Sequence, residues 1–189
     1  MTEVVKPEKL VLIFDIENLP ENKITLFFKR TVTPSKIECP LYRLVHNVSG
    51  IRPEVAEYTK KLGIPYEILY RDEFIEKYDC FEVFGKFKME DVTFPAVYIA
   101  VTHENGERGI YELVSERYFR TCELISCFGK VLERKYNQFM ELGPDEYKKA
   151  NERKNKEEMN EKDEKKQKVE SAQKKIADME DEIKKKQND

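Results

Sequence analysis

The chain lacks Trp, has two His, and none of its four Cys stands in a C-x-x-C pair. Two imidazoles, His46 and His103, with no thiol grouped beside them, fall short of the three or four ligands of a zinc site, so no metal site is expected. Cys39, Cys80, Cys122 and Cys127 make no disulfide framework and read as free thiols in a cytoplasmic or other reducing compartment. Cys122 and Cys127 are five apart on what reads as one helix, so they point in different directions and read as packing residues. Cys39 reads as a loop thiol. No apolar run approaches the ~18–20 residues of a membrane span. The N-terminus carries Glu3, Lys6, Glu8 and Lys9 ahead of a short apolar run, which reads as a first strand rather than a signal peptide. Without secretion, the glycosylation-type triplet Asn47-Val48-Ser49 carries no meaning. There is no Gly-rich phosphate loop and no G-x-S-x-G elbow.

Beyond Pro144 the chain has no Gly, Pro or Phe. Residues 145–189 hold 14 basic and 14 acidic side chains among 45, whereas residues 1–144 hold 20 basic and 23 acidic. One domain-sized body, 1–144, and one charged tail, 145–189, follow. The mildly acidic body and a pI near 5.7 argue against nucleic acid held on a basic face.

Within the body, residues 9–16 (KLVLIFDI) and 23–29 (KITLFFK) are short runs of β-formers between breakers and read as two N-terminal strands. A third strand is expected at 41–46, after Pro40. Pro53 and Gly63 then bracket a helical spacing of apolar residues. Residues 65–71 alternate as a strand, expected to run parallel to 41–46, and Asp72 opens a short helix. The stretch 81–88 (FEVFGKFK) is ambiguous between strand and loop. Phe94–Val101 reads as a buried strand, joined through the Asn105-Gly106 turn to a second arm at 109–114. Ser115 opens an amphipathic helix reaching Phe128, and another covers 130–142. A mixed α/β sheet with flanking helices follows.

This order resembles the thioredoxin fold, and most of all glutaredoxins and glutathione-transferase N-domains, over residues 41–128. EVAEYTKKLGIPYEILYRDEF (54–74) is similar to their first helix and second strand. TFPAVYI (93–99) is similar to the segment in which a cis proline opens the third strand. The resemblance implies a thioredoxin-like mixed sheet with extra N-terminal strands, and a ligand face around Ser49, Arg52, Phe94 and Pro95. It also implies a reactive Cys at the start of the first helix, near 49–52, where this chain has none. Thiol exchange needs a thiolate, which a serine hydroxyl does not replace, so no catalytic residue is expected. Glutathione is the one cofactor left open: a glutathione-dependent oxidoreductase or transferase acting through Ser49 or Cys39 is the alternative reading. A second alternative rests on Phe14-Asp15-Ile16-Glu17-Asn18, an apolar strand ending in Asp-x-x-Asn, which resembles the first motif of NYN/PIN-type metal-dependent nucleases.

The tail is rich in helix formers with recurrent Glu-to-Lys spacings of four. Val169, Ile176 and Ile183 fall seven apart, with Ala172 and Met179 at the complementary heptad positions. A long charged C-terminal helix is expected, with a short coiled coil over 169–186 for a protein partner or self-association. A fold kept without its nucleophile, carrying such a tail, points to a non-catalytic interaction or assembly module, as in a scaffold or a minor structural component of a larger complex or virion.

Overall fold

Leu10 to Phe14 are five consecutive apolar residues, a run suited to a strand covered on both faces, and all five are buried in the computed structural model. The structure describes residues 5–78, 92–122, 124–154, 156 and 160. Along the chain come β1 (Val5–Phe14), α1 (Pro20–Val32), a 3-10 turn (Pro34–Lys36), α2 (Pro40–Val45), β2 (His46–Asn47), β3 (Gly50–Ile51) and α3 (Pro53–Leu62). They are followed by β4 (Tyr66–Tyr70), α4 (Arg71–Tyr78), β5 (Ala96–His103), β6 (Arg108–Val114), α5 (Glu116–Thr121) and α6 (Ile125–Leu142). The main sheet has the order β4-β1-β5-β6. β1 and β4 are parallel, with Leu10 opposite Tyr66 and Phe14 opposite Tyr70, while β5 runs antiparallel to both β1 and β6.

Alternation along β1 divides its side chains between two layers. Val11 and Ile13 join Leu69, Tyr98 and Ile110 beneath Phe74 and Tyr78 of α4. Phe14, at the strand's end, turns the other way and meets Tyr42 of α2 edge-on at 5.0 Å. On that second side α6 lies along β6, Phe139 meeting Tyr111 at 5.5 Å. α3 crosses α6 at Gly129, where a Cβ would stand 2.4 Å from the Tyr58 ring; only glycine admits this approach. Two compact units divide the chain, Met1–Pro144 and Asp145–Asp189, and residues 145–154 of the second are helical.

The body is mixed α/β as expected, with Pro53 at the first position of α3 and Gly63 closing it in the left-handed conformation (φ 69°). Three expectations are corrected. Residues 23–29 are helical, not a strand: Pro20 starts α1, and both edges of β1 are already taken by β4 and β5. Residues 41–45 belong to α2 rather than to a strand, and His46 opens the two-residue β2. Pro40 occupies the first position of α2, the Cys39 sulfur accepts from the Tyr42 N–H, and Leu41, Tyr42, Leu44 and Val45 are all buried. The parallel partner of β4 is therefore β1, so the N-terminal strand is central to the sheet and not an addition to a core at 41–128.

The helix read from Ser115 to Phe128 is broken at Cys122, whose extended backbone ends α5, and α6 starts after Leu124. The break turns the chain, brings the Cα atoms of Cys122 and Cys127 to 5.6 Å and joins the two as a disulfide, which overturns the expectation of free, divergent thiols. The ambiguous 81–88 stretch, and the seam of Val169, Ala172, Ile176, Met179 and Ile183, lie outside the described residues.

Candidate functional site

Parallel strands deliver their C-terminal ends to one edge of a sheet, and there the loops after β1 and β4 are stitched together. The Arg71 N–H donates to the Ile16 carbonyl (3.0 Å). Its guanidinium spans two carboxylates, Nη1 to Asp15 at 3.0 Å and Nη2 to Glu17 at 2.6 Å. Asn18 answers from the other chain direction, its N–H donating to Asp72 Oδ1 (2.8 Å) and its amide to Glu73. The Asp-Ile-Glu-Asn segment is thus a charge-paired brace between two strands.

Beside the brace is an open cleft of about 230 Å³, between Asp15 and Arg71 on one wall and Asn22, Thr25 and Lys29 of α1 on the other, with Cys39 below. Cys39 is 2% exposed, and burial pushes its thiol up to about 11, so it stands as a neutral thiol at neutral pH. On the sheet face behind it, Phe14, Tyr42, His46 and Tyr70 form a ring cluster. His46 stacks on Tyr42 at 3.9 Å and 6° and meets Phe14 edge-on at 5.3 Å. Burial, with the Arg30 cation nearby, lowers His46 to about 4. His46 Nδ1 and Arg30 Nε are both buried without a hydrogen-bond partner.

The residues expected to share a ligand face are divided. Ser49 is exposed in the β2–β3 turn, where its N–H donates to Asn47 Oδ1 (2.9 Å). Arg52 is spent on local structure, its N–H donating to the Val45 carbonyl (2.7 Å) and its Nε to that of His46 (3.2 Å). The Phe94–Pro95 bond is cis; Pro95 is one residue beyond the Ile13–Ala96 pair and so lies beside Phe14, while Phe94 packs on Phe74 of α4. Among the described residues no hydrogen bond or ring contact joins the Ser49–Arg52 pair to Phe94–Pro95. Nor, among them, do three His, Cys, Asp or Glu side chains converge where they could hold a metal ion.

Arg71, Lys29 and Arg30 escaped the sequence reading. Arg71 had no visible signal, because its partners stand more than fifty residues away. α1 had one: Ile24, Phe27 and Phe28 of the run read as a strand, with Val32 three residues beyond it, recur at helical spacing. These four side chains face solvent, between 56% and 73% exposed, while Asn22, Thr25 and Lys29 of the same helix line the cleft. Leu26 is the buried residue of the helix, and the rest of its apolar residues face outward.

No protein-family model matches the chain, and no curated protein and no solved structure is found similar to it.

Proposed function

We propose that the body is a thioredoxin-like shell used as a non-catalytic interaction or assembly module. Four features support the fold reading: the parallel β1–β4 pair, the antiparallel β5–β6 hairpin, the sheet order, and the cis proline opening β5. With β1 as first strand, the family's reactive position falls on the loop from Asp15 to Leu19 that enters α1, and no Cys stands there. Ser49, in an exposed turn, loses the helix-terminal position the resemblance gave it. The nearest thiol, Cys39, is neutral, and a thiol is a poor nucleophile until ionised.

The observation that carries the interaction reading is the exposed apolar stripe of α1, Ile24, Phe27, Phe28 and Val32. A contiguous exposed apolar patch on a protein surface is often functional. The chemistry is tested directly. Glutathione-dependent reduction of a small disulfide and conjugation of an aromatic halide should run at the uncatalysed background, equally in wild type and Cys39→Ser. Turnover that Cys39→Ser abolishes would overturn the reading in favour of a glutathione enzyme. Mg²⁺-dependent RNA cleavage lost in Asp15→Asn would overturn it in favour of a nuclease.

A further inference from the structure

We infer that the outer face of α1 is a two-fold contact between copies of this chain. The inference rests on the interaction reading above and names its partner. The residues from Pro20 to Lys36 carry four basic side chains and one acidic, which would suggest an anionic partner if those charges faced outward. Three of the four lie against groups of the same chain: Lys23 over the Tyr70 ring (6.0 Å), Lys29 facing Glu38 (4.0 Å), and Arg30 over the Phe27 ring (5.8 Å), while Lys36 is exposed beyond the end of the helix.

What remains outward is Ile24, Phe27, Phe28 and Val32, with Thr31 between them. The Thr31 hydroxyl donates to the Phe27 carbonyl (2.9 Å) and so needs no outside partner. An apolar stripe with Glu21 exposed at one end and Lys36 at the other is complementary to itself when two copies run antiparallel.

The area suits the same occupant. Phe27 and Phe28 are 56% and 62% exposed, which at roughly 200 Å² per aromatic side chain leaves about 110–125 Å² each. With Ile24 at 60% and Val32 at 73%, the stripe offers about 450 Å² per copy. Two copies would cover about 900 Å² of apolar surface, and rim atoms bring this to the ~1,000–1,200 Å² at which specific interfaces begin. One copy alone would leave exposed a patch of the size of the largest on monomers, ~300–600 Å², which are often functional. An antiparallel arrangement centred on Phe28 sets Ile24 of each copy against Val32 of the other, since both lie four residues from the centre. It also opposes the two helix dipoles.

The test is the mass of the full chain by sedimentation velocity, up to about 100 µM chain, where an interface of this size should be populated. The expected result is a two-chain species that Phe28→Glu converts to monomer without loss of helical signal. The Ile176→Asp/Ile183→Asp double variant should keep the two-chain mass, separating α1 from any contact made by the tail. Under mild oxidation Phe28→Cys should cross-link two copies, and Glu104→Cys, on the exposed β5–β6 turn, should not. A wild-type monomer throughout, or a dimer that survives Phe28→Glu, would overturn the inference. Neither result would disturb the turnover assays above, so failure of the dimer and failure of the non-catalytic reading are told apart.

Discussion

At the scale of single residues, Cys39 and His46 are held neutral by the same cause, burial at the C-terminal end of β1. For Cys39, a thiol at about 11 is ionised in roughly one molecule in ten thousand at pH 7, about a hundredfold below a thiol at the usual 9. Alkylation of native protein at pH 7.5 should leave Cys39 unmodified by mass mapping, and denaturant should expose it. His46 bears on stability. Its folded value near 4 lies below the ordinary 6.5, so the unfolded chain binds the proton more readily. Stability from this group is complete above about pH 6.5 and is lost as pH falls toward 4, because protonation then favours the unfolded state. Discounted for its partial exposure, the effect is about 1–2 kcal/mol. Denaturant melts between pH 7 and 4 should show it, and His46→Phe should flatten the slope. An imidazole resonance titrating near 6.5 in the folded protein would refute the assignment.

At the scale of elements, the α3–α6 crossing and the α5–α6 elbow rest on single residues. Gly129→Ala gains about 1 kcal/mol of helix propensity, yet its methyl would stand 2.4 Å from the Tyr58 ring, and overpacking of this kind costs about 1–3 kcal/mol. The expected net effect is destabilisation by about 1 kcal/mol. In a Tyr58→Ala background the sign should reverse, leaving the propensity gain alone, as urea melts of the four proteins would show. The elbow carries the Cys122–Cys127 disulfide, which closes a short loop. Chain-entropy reasoning for a loop of about six residues gives about 2 kcal/mol. Cys122→Ala/Cys127→Ala should lower stability by that order, and reductant should then have no further effect.

At the scale of the whole molecule, the chain separates into two units, Met1–Pro144 and Asp145–Asp189, at the residue where Gly, Pro and Phe end. The body has its own core on both faces of the sheet, so deleting 169–189 should leave its melting temperature within about 2 °C, a shift worth well under 1 kcal/mol for a domain of this size. A fall of more than about 5 °C would mean that the tail completes the body's core.

The amino-acid sequence alone determined what depends on neighbours along the chain. The α/β class, α3 between Pro53 and Gly63, the β5–β6 hairpin at Asn105-Gly106 and the change of composition after Pro144 are all set by local spacing and backbone preference. The runs at 23–29 and 41–46 read as strands at that level and are not, because short segments rich in β-formers satisfy either period. Tertiary structure decided them: β4 and β5 occupy both edges of β1, which leaves those runs to become helices. The same competition made β1 the centre of the sheet and carried Arg71 to Asp15 and Glu17 across more than fifty residues. It separated Ser49 from Pro95 and turned the apolar stripe of α1 outward, because which side of a helix meets the core depends on the surface available to cover it.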